Sequence, residues 1–196
     1  MMSFDPHKFS VKKQFGPDTL HIRPATIDDK DLVWNAYKNA PAELYYHVPE
    51  VTLEYVERWY PAAGLDPEKS LFFNAMRLEG DDDVEFVANM TVAFQQISRF
   101  KHTAIFGIVV LPDYQGRGLG YFLTDLGIRL AKAKLGIIRL ELQVCAGNKR
   151  ARNIYKKLGF EEEGVLRTAW LYPDGKLDDL ITMSILFPEK MKNLTH

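Results

Sequence analysis

One stretch of the chain decides the fold: Ile105-Phe-Gly-Ile-Val-Val-Leu-Pro-Asp-Tyr-Gln-Gly-Arg-Gly-Leu-Gly-Tyr-Phe-Leu123. It has the pattern of a buried apolar strand, a short polar turn and the glycine-rich start of an amphipathic helix. The first N–H groups of a helix have no partner inside it, and the helix dipole adds partial positive charge there. Glycines at positions 116, 118 and 120 leave room for a phosphate to approach the backbone. The stretch therefore predicts a phosphate-bearing ligand at the start of this helix.

Two common phosphate motifs do not fit this turn. A Walker loop ends in Gly-Lys-Ser/Thr, and the chain contains no such tripeptide. A dinucleotide fingerprint needs a third glycine three residues after the second. Counting from Gly116 and Gly118, that position is Tyr121. The spacing therefore argues against both motifs.

The pattern that fits is Gln/Arg-x-x-Gly-x-Gly/Ala, filled by Gln115, Gly118 and Gly120 directly after the strand. It resembles the pyrophosphate-binding signature of the GCN5-related N-acetyltransferases (GNAT), which bind acetyl-coenzyme A. A second segment, from Leu140 to Phe160, resembles the family's Asn…Ala…Tyr…Lys-x-Gly-Phe pattern, with Asn148, Ala151, Tyr155, Lys157 and Gly159 in the matching places. The two segments stand in the family's order and at its distances within residues 103 to 165. The closing Tyr-Pro-Asp-Gly-Lys…Asp-Asp turn, residues 172–179, resembles the branch that acetylates protein N-termini and polyamines.

Composition limits the classes of protein to be considered. Hydrophobic residues make up 46% of the 196 residues and charged residues 26%, a balance typical of soluble globular domains. A net charge of −1 argues against bulk binding to nucleic acid or an anionic membrane. The longest apolar run, 104–111, is much shorter than the roughly 20 residues of a spanning helix. We expect a cytoplasmic protein with no nucleic-acid or membrane partner.

Cysteine and histidine usage adds two expectations. A single cysteine, Cys145, excludes an internal disulfide, and the N-terminus has no apolar segment typical of a signal peptide. The five histidines show no metal-ligand spacing, so no metal is expected. By length the chain predicts one domain, which the resemblance implies is an acetyltransferase domain, over residues 19–190, with a loose leader over 1–18 and a tail over 191–196.

Apolar periodicity predicts an α/β protein with a mixed sheet and helices on both faces. The resemblance further implies a mostly antiparallel sheet with one parallel strand pair splayed at the cofactor site. Four helices are predicted: 26–39 behind a capping box, 52–60, the glycine turn to Gly136, and a short helix closed by Gly159. The predicted strands are 20–24, 71–78, 84–94, one from Thr103, 137–145, one from Phe160, and the closing hairpin 166–172 with 177–186.

The resemblance also implies the roles of individual residues. Backbone groups of Val109 and Leu111 would pair with the pantetheine arm, and Asn148 would contact the same arm. The N–H of Val110 would face the thioester oxygen, and Tyr155 would be the general acid. The expected cofactor-binding set is Ile108, Val109, Val110, Leu111, Gln115, Gly116, Arg117, Gly118, Leu119, Gly120, Asn148, Ala151, Tyr155 and Lys157. Within it, Arg117 is expected to assist the pyrophosphate by charge.

Several alternatives stay open at this stage. The base is undecided among Glu85, His102, Glu141 and a water chain. Residues 41–67, rich in aromatic residues and prolines, are either a substrate wall or ordinary packing. The predicted function is direct acetyl transfer from acetyl-coenzyme A to the amine of a small molecule or peptide in a ternary complex. The alternative is a catalytically silent coenzyme A-binding sensor or interaction module. The protein would be a monomer or a homodimer.

Overall fold

The computed structural model describes residues 8–38, 52–54, 56–58, 66 and 68–191. Their eight strands form one mixed sheet in the order β1-β2-β3-β4-β5-β6-β8-β7. The strands are β1 Val11–Phe15, β2 Asp18–Pro24, β3 Ser70–Glu79, β4 Asp82–Phe94, β5 Thr103–Val110, β6 Arg139–Cys145, β7 Glu161–Leu171 and β8 Leu177–Leu186. Among the described residues, the α-helices with at least four consecutive residues are α1 Lys30–Tyr37, α2 Leu119–Ala133, α3 Lys149–Lys157 and α4 Pro188–Met191. The predicted α/β class with a mixed sheet is confirmed.

The predicted parallel pair is β5 with β6. Its register joins Thr103 to Arg139 and Ile105 to Glu141, and it ends there although both strands continue. The pairs β1–β2, β2–β3, β6–β8 and β7–β8 are antiparallel. Only the first part of β5 is thus paired with β6, as expected for two strands that separate towards their C-terminal ends.

The chain divides into two compact units, of which the first contains residues 1–91 and 108–119. In this unit Val33 and Tyr37 of α1 pack in a hydrophobic core with Phe72, Met76 and Phe86. The two aromatic rings of Tyr37 and Phe86 meet edge to face at 5.4 Å, and the Tyr37 hydroxyl accepts a hydrogen bond from buried Asn89 at 2.8 Å. Apolar residues at helical spacing on α1 therefore bury its inner face against β3 and β4.

The capping box at the start of the first helical segment is present but has a second function. Asp29 accepts the N–H of Thr26 at 2.9 Å, as predicted, and opens a 3-10 turn before α1. The same buried carboxylate receives two hydrogen bonds from Arg23, at 2.6 and 2.9 Å, and one from Asn74 at 2.8 Å. Burial alone would raise the pKa of Asp29, but these hydrogen bonds outweigh it and lower the pKa. Asp29 therefore joins the helix start to the sheet.

The second unit contains residues 92–107 and 120–196. Here α2 buries the predicted stripe, with Leu123, Leu126 and Leu130 each at most 1% exposed. Gly136 has a φ of +83°, which suits the predicted end of this helical segment. At the C-terminal end, Lys190 donates to the C=O of Lys134 at 2.8 Å, so α4 is attached to the end of α2.

One expectation about the chain is wrong, and two others fall largely on residues that the structure does not describe. Residues 1–18 were expected to be a loose leader, but Val11–Phe15 form β1 and Asp18 already begins β2. Only Phe15 of β1 is buried, so the local pattern carried little apolar signal. The predicted substrate wall at 41–67 lies almost entirely outside the described residues, as does the tail after residue 191. The prediction of a single domain over 19–190 stays a prediction.

Candidate functional site

The end of β5 uses its backbone groups in a way that revises one prediction. The N–H of Leu111 donates to the C=O of Val87 at 3.0 Å, and the C=O of Leu111 accepts the N–H of Tyr114 at 3.0 Å. Both groups are therefore used within the protein, and Leu111 is not a suitable backbone partner for a pantetheine arm. Neighbouring residues of a strand turn their N–H groups to opposite edges. The N–H of Val110 accordingly points away from β4, as does that of Ile108.

Gln115 follows this strand and is hydrogen-bonded back to it. Its side-chain amide donates to the C=O of Val110 at 3.0 Å, and its backbone N–H donates to the C=O of Pro112 at 3.1 Å. The backbone N–H of Gln115 is thus already engaged and does not fit the role of a phosphate donor. What Gln115 does instead is to fix the start of the glycine turn against the strand.

The glycine turn itself has the conformation expected of an anion site. Gly116 and Gly118 have φ values of +82° and +86°, a backbone conformation that residues with a side chain rarely adopt. No described residue accepts a hydrogen bond from the N–H groups of residues 116–118, and α2 begins immediately afterwards at Leu119. Left-handed residues within such a turn can direct successive N–H groups into one concavity, which binds anions. The helix start adds the N–H groups of Leu119 and Gly120.

Arg117 does not occupy the position expected of a charged helper. Its guanidinium pairs with Asp18 at 2.6 Å and lies over the ring of Tyr114, 4.9 Å from the ring centroid. An added Cβ at Gly16 would come within 3.2 Å of Arg117 Cδ, so the β1–β2 turn closely approaches this side chain. The side chain of Arg117 therefore joins the glycine turn to the first hairpin, and its backbone N–H is the group left for a phosphate.

Glu85, one of the three candidate bases, is held by two partners. Arg77 Nε donates to it at 2.7 Å, and the Tyr114 hydroxyl donates at 3.1 Å. Burial, followed by the charge of Glu85, raises the pKa of Tyr114 to about 12, so this phenol remains a donor. A carboxylate paired in this way supports the loop after β5 and is a weak candidate for removing a proton.

The other two candidate bases belong to the second unit. Glu141 accepts from Arg139 Nε at 2.8 Å, and the same guanidinium holds Glu163, whose pKa it lowers to about 2. His102 lies just before β5, and its C=O accepts the N–H groups of Ile138 and Arg139. His102 therefore stands at the start of β5, whereas Val110 is the last residue of that strand. The geometry favours neither residue as the base.

The start of α3 is capped by the side chain of Asn148, a residue type that is favoured at this position. Asn148 Oδ1 accepts the N–H of Ala151 at 3.1 Å, and its C=O accepts the N–H of Arg152 at 3.1 Å. The amide of Asn148 keeps its two N–H donors for another partner. The N–H of Ala151 is used by the cap, so Ala151 can offer a ligand only its small side chain.

Tyr155 is buried in α3, at 7% exposure, and packs between two aromatic rings. Its ring centroid lies 6.5 Å from that of Phe106 and 5.7 Å from that of Phe160. Burial raises the pKa of Tyr155 to about 12, and no described residue hydrogen-bonds its hydroxyl. The side chain is thus a neutral phenol that keeps its proton at physiological pH.

The basic residues of α3 serve two different purposes. Arg152 donates twice to Glu162, at 2.7 and 2.9 Å, and Lys156 pairs with the same carboxylate at 3.1 Å. Lys157, which was expected to bind the cofactor, is exposed. Two of the five basic residues of α3 thus share one carboxylate at the start of the neighbouring β7.

Sequence reasoning gave Asp178 and Asp179 of β8 no individual role. Asp178 accepts the N–H of Gly147 at 3.0 Å and the hydroxyl of Tyr172 at 3.2 Å, and Asp179 accepts the N–H of Thr168 at 2.7 Å. A signal was available, since two adjacent aspartates are unusual inside a strand. Such residues often have a specific hydrogen-bonding function.

Two negative findings concern the described residues. They contain no group of three or more histidine, cysteine, aspartate or glutamate side chains arranged to hold a metal ion. Within the same part of the chain, no helix has both the length and the apolar character that crossing a bilayer requires.

Comparison with known proteins adds the family. The sequence model of the Acetyltransferase (GNAT) family matches residues 34–160. An uncharacterized N-acetyltransferase from Methanocaldococcus jannaschii is 34% identical over 157 residues, which are 78% of this chain and 65% of that protein. An L-amino acid N-acetyltransferase from Escherichia coli is 38% identical over 82 residues, 42% of this chain and 51% of that protein. The chain thus spans about half to two thirds of the length of these relatives.

The fold has close counterparts among solved structures. A spermidine N-acetyltransferase from Vibrio cholerae, in complex with CoA and spermine, has a TM-score of 0.70 at 21% identity, over 88% of this chain and 98% of that one. At this identity the similarity concerns the fold. The family follows from the sequence model: because it matches residues 34–160, more than half of the chain, the chain belongs to the GNAT acetyltransferase family.

Proposed function

We propose that this protein transfers the acetyl group of acetyl-coenzyme A to a primary amine. The observation that carries the proposal is the glycine turn, in which Gly116 and Gly118 adopt left-handed backbone directly before α2. The N–H groups of residues 116–120 are the proposed donors to the pyrophosphate. The N–H groups of Ile108 and Val110 replace those of Val109 and Leu111 as the proposed backbone contacts along β5, because the N–H groups of Val109 and Leu111 are on the edge that faces β4.

Two residues have proposed roles in the reaction itself. The N–H of Val110 would donate to the thioester oxygen, where negative charge develops during attack, and one such donor contributes roughly 2.7–4 kcal/mol. The hydroxyl of Tyr155 would donate its proton to the departing sulfur. Its pKa of about 12 keeps the proton on the phenol until the sulfur carries charge.

Proton removal from the amine is proposed to pass through water. Glu85 and Glu141 are each held by an arginine, at 2.7 and 2.8 Å, and His102 lies at the far end of β5. The proton released by the attacking amine would leave to solvent, the sulfur would take one from Tyr155, and Tyr155 would regain a proton from solvent before the next turnover. One bond to nitrogen forms, one bond to sulfur breaks, and no covalent acyl-enzyme is needed.

The proposed acceptor is a small or peptide amine, and the names of the relatives suggest where to begin. One relative is an L-amino acid N-acetyltransferase, and one structural neighbour is bound to spermine. A panel of amino acids, polyamines, aminoglycosides and N-terminal peptides, followed by release of free thiol, would identify the class. No thiol release with any amine would contradict catalysis.

A catalytically silent module is the second proposal, and the Tyr155→Phe variant separates it from the enzyme. If Tyr155 is the acid, calorimetry should show unchanged binding of acetyl-coenzyme A while turnover falls by about 10²–10⁴-fold. Phe160→Leu, which changes a neighbouring ring without removing a hydroxyl, is the matched control and should retain most of the activity. A wild-type protein that does not bind acetyl-coenzyme A at millimolar concentration would end both proposals.

A further inference from the structure

The turn between β6 and α3 is held in place by two adjacent residues of β8. The N–H of Ala146 donates to the C=O of Asp179 at 2.8 Å, and the N–H of Gly147 donates to the carboxylate of Asp178 at 3.0 Å. Asn148, the next residue, caps α3. Two successive N–H groups of the turn are therefore fixed by the neighbouring strand before the helix begins.

The close approach of Asp178 to the turn favours a glycine at position 147. A Cβ added at Gly147 would lie 3.0 Å from Asp178 Oδ2, closer than side-chain contacts normally allow. Gly147 is not among the glycines with a positive φ. The close approach of Asp178, and not the backbone angle, therefore explains why a glycine fits this position. The contact thus depends on a small residue at position 147 and on a hydrogen-bond acceptor at position 178.

The carboxylate of Asp178 is itself oriented by other groups. Its Oδ2 also accepts the hydroxyl of Tyr172 at 3.2 Å, and its Oδ1 accepts the N–H of Asp179 at 2.8 Å. The hydrogen bond from Gly147 is the main cause that lowers the pKa of Asp178, ahead of the opposing effect of burial. The group is an oriented carboxylate at neutral pH.

Asp179 uses its carboxylate elsewhere, which makes it a useful comparison. It accepts the N–H of Thr168, which has a φ of +50°. Across the β7–β8 pair, Leu166 faces Leu180 and Trp170 faces Asp178, so three residues of β7 stand opposite Asp179 alone. The Asp179 carboxylate therefore supports a bulge in β7, whereas that of Asp178 supports the turn before α3.

We propose that Asp178 is a positioning residue for the pantetheine arm of acetyl-coenzyme A. By fixing Gly147 it holds Asn148 in the orientation that caps α3 and leaves the Asn148 amide donors for the arm. A turn that is already ordered loses less entropy when the ligand binds. The inference rests on the proposed function, since Asn148 is assigned to the pantetheine through the family resemblance.

The test compares two ligands that differ only in the arm: coenzyme A and 3′-phosphoadenosine 5′-diphosphate, which has the nucleotide and pyrophosphate but no pantetheine. In calorimetry with the full chain, Asp178→Ala is expected to raise the Kd for coenzyme A about tenfold and Asp178→Asn about threefold. The Kd for the shorter ligand should stay within about twofold of wild type. A carboxamide still accepts from Gly147, so the partial rescue by asparagine is part of the prediction.

Two further variants keep the test decisive. Gly147→Ala disturbs the same contact from the other side and should give the same selective loss, even if Asp178→Ala folds poorly. Asp179→Asn removes a neighbouring carboxylate that supports the bulge, and should leave both Kd values within about twofold. Equal weakening of both ligands, or unchanged coenzyme A binding in a folded Asp178→Ala variant, would overturn the inference. A wild-type protein that binds neither ligand would instead overturn the proposed function.

Discussion

The side-chain amide of Gln115 donates a hydrogen bond to the C=O of Val110 at 3.0 Å. This contact joins the first residue of the phosphate signature to the residue whose N–H is proposed to face the thioester. Because it spans the loop between β5 and the glycine turn, it fixes both in one arrangement. The two parts proposed to hold the donor are thereby connected in the free protein.

Replacing Gln115 by glutamate tests this connection. An ionised carboxylate only accepts hydrogen bonds, so it would lose the contact with Val110 and place negative charge beside the proposed pyrophosphate site. We expect the Kd for acetyl-coenzyme A to rise at least tenfold in calorimetry at pH 7. Gln115→Leu, which lacks the charge, should weaken binding only about threefold. If the two variants behave alike, charge at this position is irrelevant and the anion site lies elsewhere.

Gly118→Ala separates backbone conformation from available space. Nothing lies within 4 Å of a Cβ added there, but φ is +86°, which an L-residue adopts at a cost of roughly 1–2 kcal/mol. We expect the free energy of unfolding of the protein saturated with coenzyme A to fall by about that amount. Gly107→Ala is the matched control, because it also has open space but no left-handed φ. Equal effects of the two substitutions would show that the left-handed turn is not required.

Arg117→Ala tests whether the guanidinium or the backbone of the turn binds phosphate. The side chain pairs with Asp18 at 2.6 Å and stacks on Tyr114, so we expect coenzyme A affinity to fall less than threefold. A double-mutant cycle with Asp18→Ala should give a coupling of about 0.5–1 kcal/mol in urea unfolding, as for a partly exposed pair. A tenfold loss of affinity that shrinks at high salt would instead place the guanidinium on the phosphates.

Asp29→Asn should be strongly destabilising and should show a defined pH dependence. Removing one partner of a buried pair costs about 3–5 kcal/mol, and Arg23 keeps a second partner in Asp83, so we expect the lower end. The folded pKa of Asp29 lies below its ordinary value of about 3.9. Its contribution is therefore complete above that value and is lost as the pH falls through the folded pKa.

Urea unfolding at several pH values checks this second part. The difference between wild type and Asp29→Asn should be constant from pH 7 to about 5 and should decrease below about 4. Asp81→Asn, which removes an exposed pair with Lys12, should leave the unfolding midpoint unchanged. A difference that grows towards acidic pH would refute the assignment of a lowered pKa to Asp29.

Local patterns were sufficient for the elements that contain their own signals. The apolar run of β5, the glycines at 116 and 118 and the leucine stripe of α2 lie close together in sequence and predict a strand, a turn and a helix. The same holds for α3, whose Asn148 cap and Gly159 end lie within one short segment. The family resemblance drew on these same segments.

The rest depended on contacts between distant parts of the chain. Arg117 meets Asp18 across 99 positions of sequence, and no periodicity predicts that pair. The N–H of Leu111 is used by Val87 because β4 adjoins β5, which becomes visible only once the sheet order is known. Asp178 is a further case, because its partner Gly147 lies 31 positions away in the sequence, in the turn that follows β6. Individual donors and acceptors at the site therefore required the structure.

Strand β7 lies at one edge of the sheet, and this position has a consequence for solubility. Val165, Leu166 and Leu171 are about half or more exposed on this strand, and an unpaired strand edge of that kind can recruit other chains into aggregates. Three consecutive glutamates at its start and the bulge at residues 167–169 interrupt the flat, uncharged surface that such pairing needs. Because Asp179 holds the bulge through Thr168, we expect its replacement by alanine to increase aggregation of the folded protein.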